Sequence, residues 1–141
     1  MATMKGRSAI TAHYRVTGYN TAMAPLISLA LAGFLLFAGK PVDDAKALIK
    51  TKKFEEAVAI LEPALKAKPA DAAVKTTLVE ALVGAGDSYM YNDQLPPVRK
   101  YPTALRFYRR AVELDKNNKV AKDNVATIEN IYKSMGRPVP Q

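Results

Sequence analysis

The sequence predicts an all-α protein: one N-terminal membrane-spanning helix followed by a short array of α-hairpins. Three observations carry this. Residues 16–39 contain no charged side chain. From Val42 onward apolar residues recur at spacings of three and four, and no alternating apolar–polar run suggests a strand. The stretch KFEEAVAILEPALKAKP (53–69) has a near copy, KYPTALRFYRRAVELDK (100–116).

The first segment, 1–20, is a basic arm with Lys5, Arg7 and Arg15 and no acid. The apolar segment 21–39 follows, just long enough to cross the hydrocarbon, which takes about 20 residues of helix. Leu26, Ile27, Leu29, Leu31, Phe34, Leu35, Leu36 and Phe37 would face lipid. Asn20 or Thr21 can cap its start, and Pro25 sits near the first turn, where a missing N–H costs least. Tyr14 and Tyr19 lie where an interfacial aromatic belt would be, and Lys40-Pro41 is a stop.

Two other readings of this segment stay open, a cleaved signal peptide and a buried helix. The apolar core would suit a signal peptide, but cleavage ahead of Lys40 puts Phe37 and Gly39 at the two positions that require small residues, and Phe37 is not small. The expectation is therefore an uncleaved signal-anchor. The basic arm places the N-terminus in the cytoplasm and the remaining chain on the translocated, periplasmic side, with a bacterial inner membrane as the setting. Lys46, Lys50, Lys52 and Lys53 soon after the span keep that margin narrow.

Helices are expected at about 42–51, 54–67, 71–91, 102–115 and 119–135. Lys68-Pro69-Ala70-Asp71 ends one and offers Asp71 as the next cap, NDQLPPVRKYP (92–102) reads as a loop, and Gly136-Arg137-Pro138 closes the last. Pro63 removes the bond to the Ala59 carbonyl, so a bend is expected between them. In the last helix Val120, Val125, Ile128, Ile131 and Tyr132 are expected inward, with Lys122, Asp123, Glu129 and Lys133 outward.

In each copy of the duplicated stretch a small residue is followed four later by a large one and three later by a small one. These are Ala57, Leu61 and Ala64, then Pro69; and Ala104, Tyr108 and Ala111, then Lys116. Alanine on a crossing face lets two helices approach closely, and the bulky residue a turn away fills the gap. This pattern resembles the second helix of the tetratricopeptide repeat (TPR), a helix–turn–helix unit of 34 residues. The resemblance covers about 42–135 and implies two TPR-like units plus a capping helix, with Phe54 and Tyr101 at the turns between paired helices. The copies start at Lys53 and Lys100, further apart than one repeat, which implies an insertion at about 87–101. Lys116 replaces the usual proline, and the first unit's opening helix offers only Ala45 and Leu48 as matches. A two-unit stack leaves one end poorly closed, which suits a partner there.

The chemistry for an enzyme is missing. There is no cysteine, and the single histidine, His13, lies in the arm, so thiolate sites, a histidine triad and a multi-histidine metal site are excluded. Asp43-Asp44 and Glu55-Glu56 sit at helix starts, where carboxylates suit the dipole. GAGD (84–87) lacks a phosphate loop's lysine and spacing, and reads as small residues for close helix contact. No cofactor or catalytic residue is expected.

The net charge of +8, from 21 basic and 13 acidic residues, favours anionic partners. Without a recognisable module or aromatic-interleaved basic cluster, nucleic acid is not expected. Two features suit protein partners. One is the insertion, with Tyr89, Met90, Tyr91 and Leu95. The other is a basic strip of Arg99, Arg106, Arg109 and Arg110, for an acidic protein surface or anionic lipid. The expectation is a membrane-anchored interaction module, contacting the bilayer through 21–39 and other subunits of a membrane complex through the helical domain 40–135, with 136–141 as a tail. The alternatives are a membrane-tethered chaperone or assembly factor, and a secreted repeat protein.

Overall fold

A computed structural model describes residues 40–141; the arm 1–20 and the expected span 21–39 lie outside the described residues. All regular structure among the described residues is helical: α1 Pro41–Lys50, α2 Phe54–Ala67, α3 Ala72–Met90, α4 Pro97–Leu114 and α5 Lys119–Ser134. No helix among them is long and apolar enough to cross a membrane.

Each helix packs on the next, and α1 also packs on α3. That second contact makes the array a stack of hairpins rather than a string of them. The largest fully buried side chains are Leu61 of α2, Leu78 and Leu82 of α3, Leu105 and Tyr108 of α4, and Ile128 of α5. α3 buries residues on several sides, including Val74, Val79, Ala81 and Ala85, as a helix with neighbours on three sides must.

Local chemistry explains the helix ends. Asp71 caps α3 as expected, its side chain accepting from the N–H groups of Ala73 (3.0 Å) and Val74 (3.1 Å). Asn118 caps α5 by accepting from Ala121 N–H at 2.9 Å. α1 and α5 end in the same way, with one left-handed residue. At α5 this is Gly136 (φ +63), and Gly136 and Arg137 N–H donate to the carbonyls of Lys133 and Tyr132, both at 3.0 Å. At α1 the residue is Lys52 (φ +60), and Lys52 and Lys53 N–H donate to Ile49 and Leu48 at 2.9 Å. A side chain in that conformation costs roughly 1–2 kcal/mol, part of which glycine gives back as unfolded-state entropy. Lys52→Gly is therefore expected to stabilise the protein by about 0.5–1 kcal/mol. A urea midpoint that rises with no change in slope is the result to look for.

Four sequence expectations need correction. The loop between α3 and α4 is short, since residues 97–102 already belong to α4. Pro97 takes the first helical position, where no N–H is needed, and the Pro96 carbonyl accepts from Arg99 (2.9 Å) and Lys100 (3.0 Å) N–H. Pro102 forfeits only the bond to the carbonyl of Val98, a residue 70% exposed and so within reach of solvent. Pro69 is exposed rather than packed: it lies in the turn closed by Asp71 N–H on the Lys68 carbonyl at 3.1 Å. Val120, expected inward, is 55% exposed, and Ala121 is buried in its place because the Asn118 cap sets the phase of α5. Glu129, expected outward, is half-buried because it pairs with Arg109. The remaining expectations for α5 hold for Ile128 and Tyr132, which are buried, while Val125 and Ile131 are half-buried.

α2 continues through Pro63 without a break. Pro63 and Ala59 both lie on its exposed side, so the freed carbonyl is within reach of water.

Candidate interaction surface

The duplicated residues form the frame on which any surface is mounted. Ala57, Leu61, Ala104, Tyr108 and Ala111 are completely buried, and Ala64 is half-buried. The two helices that carry them meet α3 at two glycines. A Cβ at Gly84 would collide with the ring of Phe54, and one at Gly86 would lie 2.5 Å from Cε1 of Tyr108. The GAG of 84–86 thus seats one aromatic ring from α2 and one from α4, which is the close-contact role expected of it. Phe54 therefore covers α3 rather than the turn before its own helix. Tyr101 is half-buried in the second turn of α4, because that helix starts earlier than its counterpart.

Tyr108 carries one polar atom into this core. Its hydroxyl donates to Asp87 Oδ1 at 2.6 Å, and Asn124 Nδ2 of α5 donates to the same oxygen at 3.4 Å. Burial raises the phenol far above the ordinary tyrosine range, and the bond to Asp87 adds to that. The Tyr108–Asp87–Asn124 set joins three helices through a single carboxylate, and no buried polar side-chain atom among the described residues lacks a partner.

The expected contact residues divide between structure and surface. Tyr89 is half-buried; its ring stacks on Phe107 with centroids 5.9 Å apart, and its hydroxyl donates to Glu55 Oε1 at 2.8 Å. That bond to a carboxylate, more than burial, raises its phenol above the usual range. Met90 is buried. Leu95 is half-buried, while Tyr91 is 66% exposed. The insertion thus supplies two packing residues and an exposed aromatic at the α3–α4 corner.

The arginines divide the same way. Arg110 forks onto Glu62 of α2 through two bonds of 2.9 and 3.0 Å and reaches Glu113 at 2.9 Å. Those two carboxylates hold its guanidinium charged well beyond the ordinary range, the Glu62 bond contributing most. Arg109 donates to Glu129 at 3.3 Å and to the Pro140 carbonyl at 2.6 Å. Arg99 and Arg106, two turns apart on α4, stay exposed, and Arg106 lies over the Phe107 ring at 5.3 Å. The Arg110–Glu62 fork was not legible from spacing, since it joins residues far apart in sequence.

Two grooves flank this frame. One, of about 540 Å³, lies between α3 and the α4–α5 turn, with Val79, Val83, Leu114 and Val120 as apolar walls and Lys75 and Glu80 beside them. The other, of about 480 Å³, lies between α2 and α4, with Val58, Leu82, Leu105 and Phe107 inside and Arg106 and Gln141 at its edge. No cluster of acidic or histidine side chains suited to a metal ion occurs among the described residues. In comparison with known proteins, no family model, no curated protein and no solved structure matches the chain.

Proposed function

We propose that the chain is a membrane-anchored, TPR-like interaction module that serves as a small accessory or scaffolding subunit of a larger membrane complex of respiratory, photosynthetic or secretion type. The observation that carries this reading is the division of residues at the α3–α4 corner. Tyr89, Met90, Arg109 and Arg110 are taken up in packing, hydrogen bonds and ion pairs within the helices, whereas Tyr91, Arg99 and Arg106 are exposed. Tyr91 is an exposed aromatic and Arg99 and Arg106 are exposed arginines, residue types favoured in protein-binding surfaces. The packing of α1 on both α2 and α3 supports the TPR-like assignment, because stacked hairpins require that second contact. The uncharged stretch 16–39 supports the anchor.

Extraction in mild detergent followed by size exclusion tests the subunit reading. Stoichiometric co-elution with one complex is expected, and loss of that co-elution in a Tyr91→Ala/Arg106→Ala variant would locate the contact. Recovery of many substoichiometric clients instead would favour the tethered chaperone, for which the open α3 groove is the supporting feature. N-terminal sequencing of the mature protein tests the anchor separately: a start near Lys40 would remove it.

A further inference from the structure

The segment after α5 turns back onto α4. Gly136 (φ +63) reverses the chain, and its N–H and that of Arg137 are spent on the carbonyls of Lys133 and Tyr132. Pro138 and Pro140 then restrict the backbone on either side of Val139, which packs against the core. At α4, Arg109 Nη1 donates to the Pro140 carbonyl at 2.6 Å. The same guanidinium donates through Nη2 to Glu129 Oε1 of α5 at 3.3 Å.

One side chain of α4 therefore holds both ends of the stretch 129–140. Little else holds it. α5 packs chiefly on α4, and of its own residues only Ala121, Ile128 and Tyr132 are buried. The first half of the helix is fixed by the Asn118 cap and by Asn124 on Asp87. The second half has Ile128, Tyr132 and the Arg109 clasp. A segment with so few buried apolar contacts opens locally at a free energy below that of the whole domain, and a polar clasp then weighs heavily in that opening.

We propose that residues 136–141 are a latch for α5, clasped by Arg109, and that the second half of α5 opens together with them as one unit while α2, α3 and α4 stay closed. α5 is the last layer of the described stack, so the latch decides whether the face of α4 beneath Ile128 and Tyr132 is covered. The proposal goes beyond the interaction reading and rests on neither the anchor nor the α3–α4 corner.

Amide hydrogen exchange on the full chain in detergent, resolved by peptide, tests it. Three variants are compared with the parent: Arg109→Gln, Glu129→Gln, and a chain that stops after Arg137. The last keeps the Arg137 N–H bond that ends α5 and removes only the latch. Exchange over 127–134 should rise roughly tenfold in the shortened chain and in Arg109→Gln, the scale of one hydrogen bond to a charged group that is partly exposed, with α2 and α3 unchanged. Glu129→Gln, which keeps an acceptor but loses the charge, should raise it less. Arg109→Gln in the shortened chain should accelerate exchange by less than the product of the two separate factors, because one guanidinium serves both ends. Unchanged exchange over 127–134 in the shortened chain, equal acceleration in α2 and α3, or a full product in the double variant would each overturn the proposal.

Discussion

Tyr108→Ala is expected to lower stability by about 3–5 kcal/mol, the range for deleting a large aromatic from a packed core. Tyr108 is fully buried, and its ring fills the space left open by Gly86. Removing it leaves a cavity flanked by α3 and also takes from Asp87 its shortest partner, the 2.6 Å phenol bond. Asn124 at 3.4 Å is the remaining donor to that oxygen. A domain of this size has about 5–15 kcal/mol in total, so the variant should be partly unfolded at moderate temperature. Thermal melts would show it, at roughly 4–8 °C per kcal/mol. Tyr108→Phe separates the two contributions: it retains the ring and should cost about 1.5–3 kcal/mol for a bond to a charged acceptor. A Tyr108→Ala melt within a few degrees of the parent would contradict the packing described.

Gly86→Ala is expected to be the most damaging of the glycine-to-alanine changes among the described residues. Alanine favours helix by about 1 kcal/mol over glycine, so on an open surface the substitution would stabilise. Here the added Cβ lies 2.5 Å from a ring carbon of Tyr108, and that ring has no exposed side toward which to move. Overpacking of this kind costs about 1–3 kcal/mol, so after the gain in helix propensity a net loss of up to about 2 kcal/mol is expected by urea titration. Gly84→Ala is the informative control. The collision there is with Phe54, which is half-buried at the start of α2 and can turn outward. A smaller loss at Gly84 than at Gly86 would show that freedom of the ring, not distance alone, decides the cost. In a Tyr108→Ala background the Gly86→Ala penalty should vanish, since its cause has been removed.

Much of the helical domain was legible in the sequence because its signals are local. Periodicity placed five helices, Asp71 announced its own capping role, and the duplicated small–large–small spacing picked out Ala57, Leu61, Ala104, Tyr108 and Ala111, all of them buried. Reading failed where two local signals competed. Three prolines in 92–102 suggested a loop, yet one of them suits the first position of a helix and another sits where an exposed carbonyl can do without its bond. Val120 looked apolar enough to be inward, but the phase of α5 is set by Asn118.

The surface was less legible, and for a different reason. A run of arginines on one helix looks like a free basic strip until its carboxylates are found. Glu62 and Glu129 come from other helices, at separations in sequence that no pattern reveals. The same holds for Tyr89, whose contact with Glu55 joins α3 to α2. Spacing along one helix shows which residues share a face; it does not show what the face meets.

The central position of α3 has a consequence for motion. It is the helix that touches α1, α2 and α4, and it accepts a ring from α2 and a ring from α4 into glycine seats two residues apart. The two hairpins therefore do not open as independent units, because separating either one exposes the same stretch around Leu78, Leu82 and Ala85. α1 and α5, at the ends, can fray while that stretch stays closed. The repeat in the sequence thus does not carry over into a repeat in stability: two similar units share one cooperative opening event, and α3, packed between the duplicated helices α2 and α4, sets its free energy.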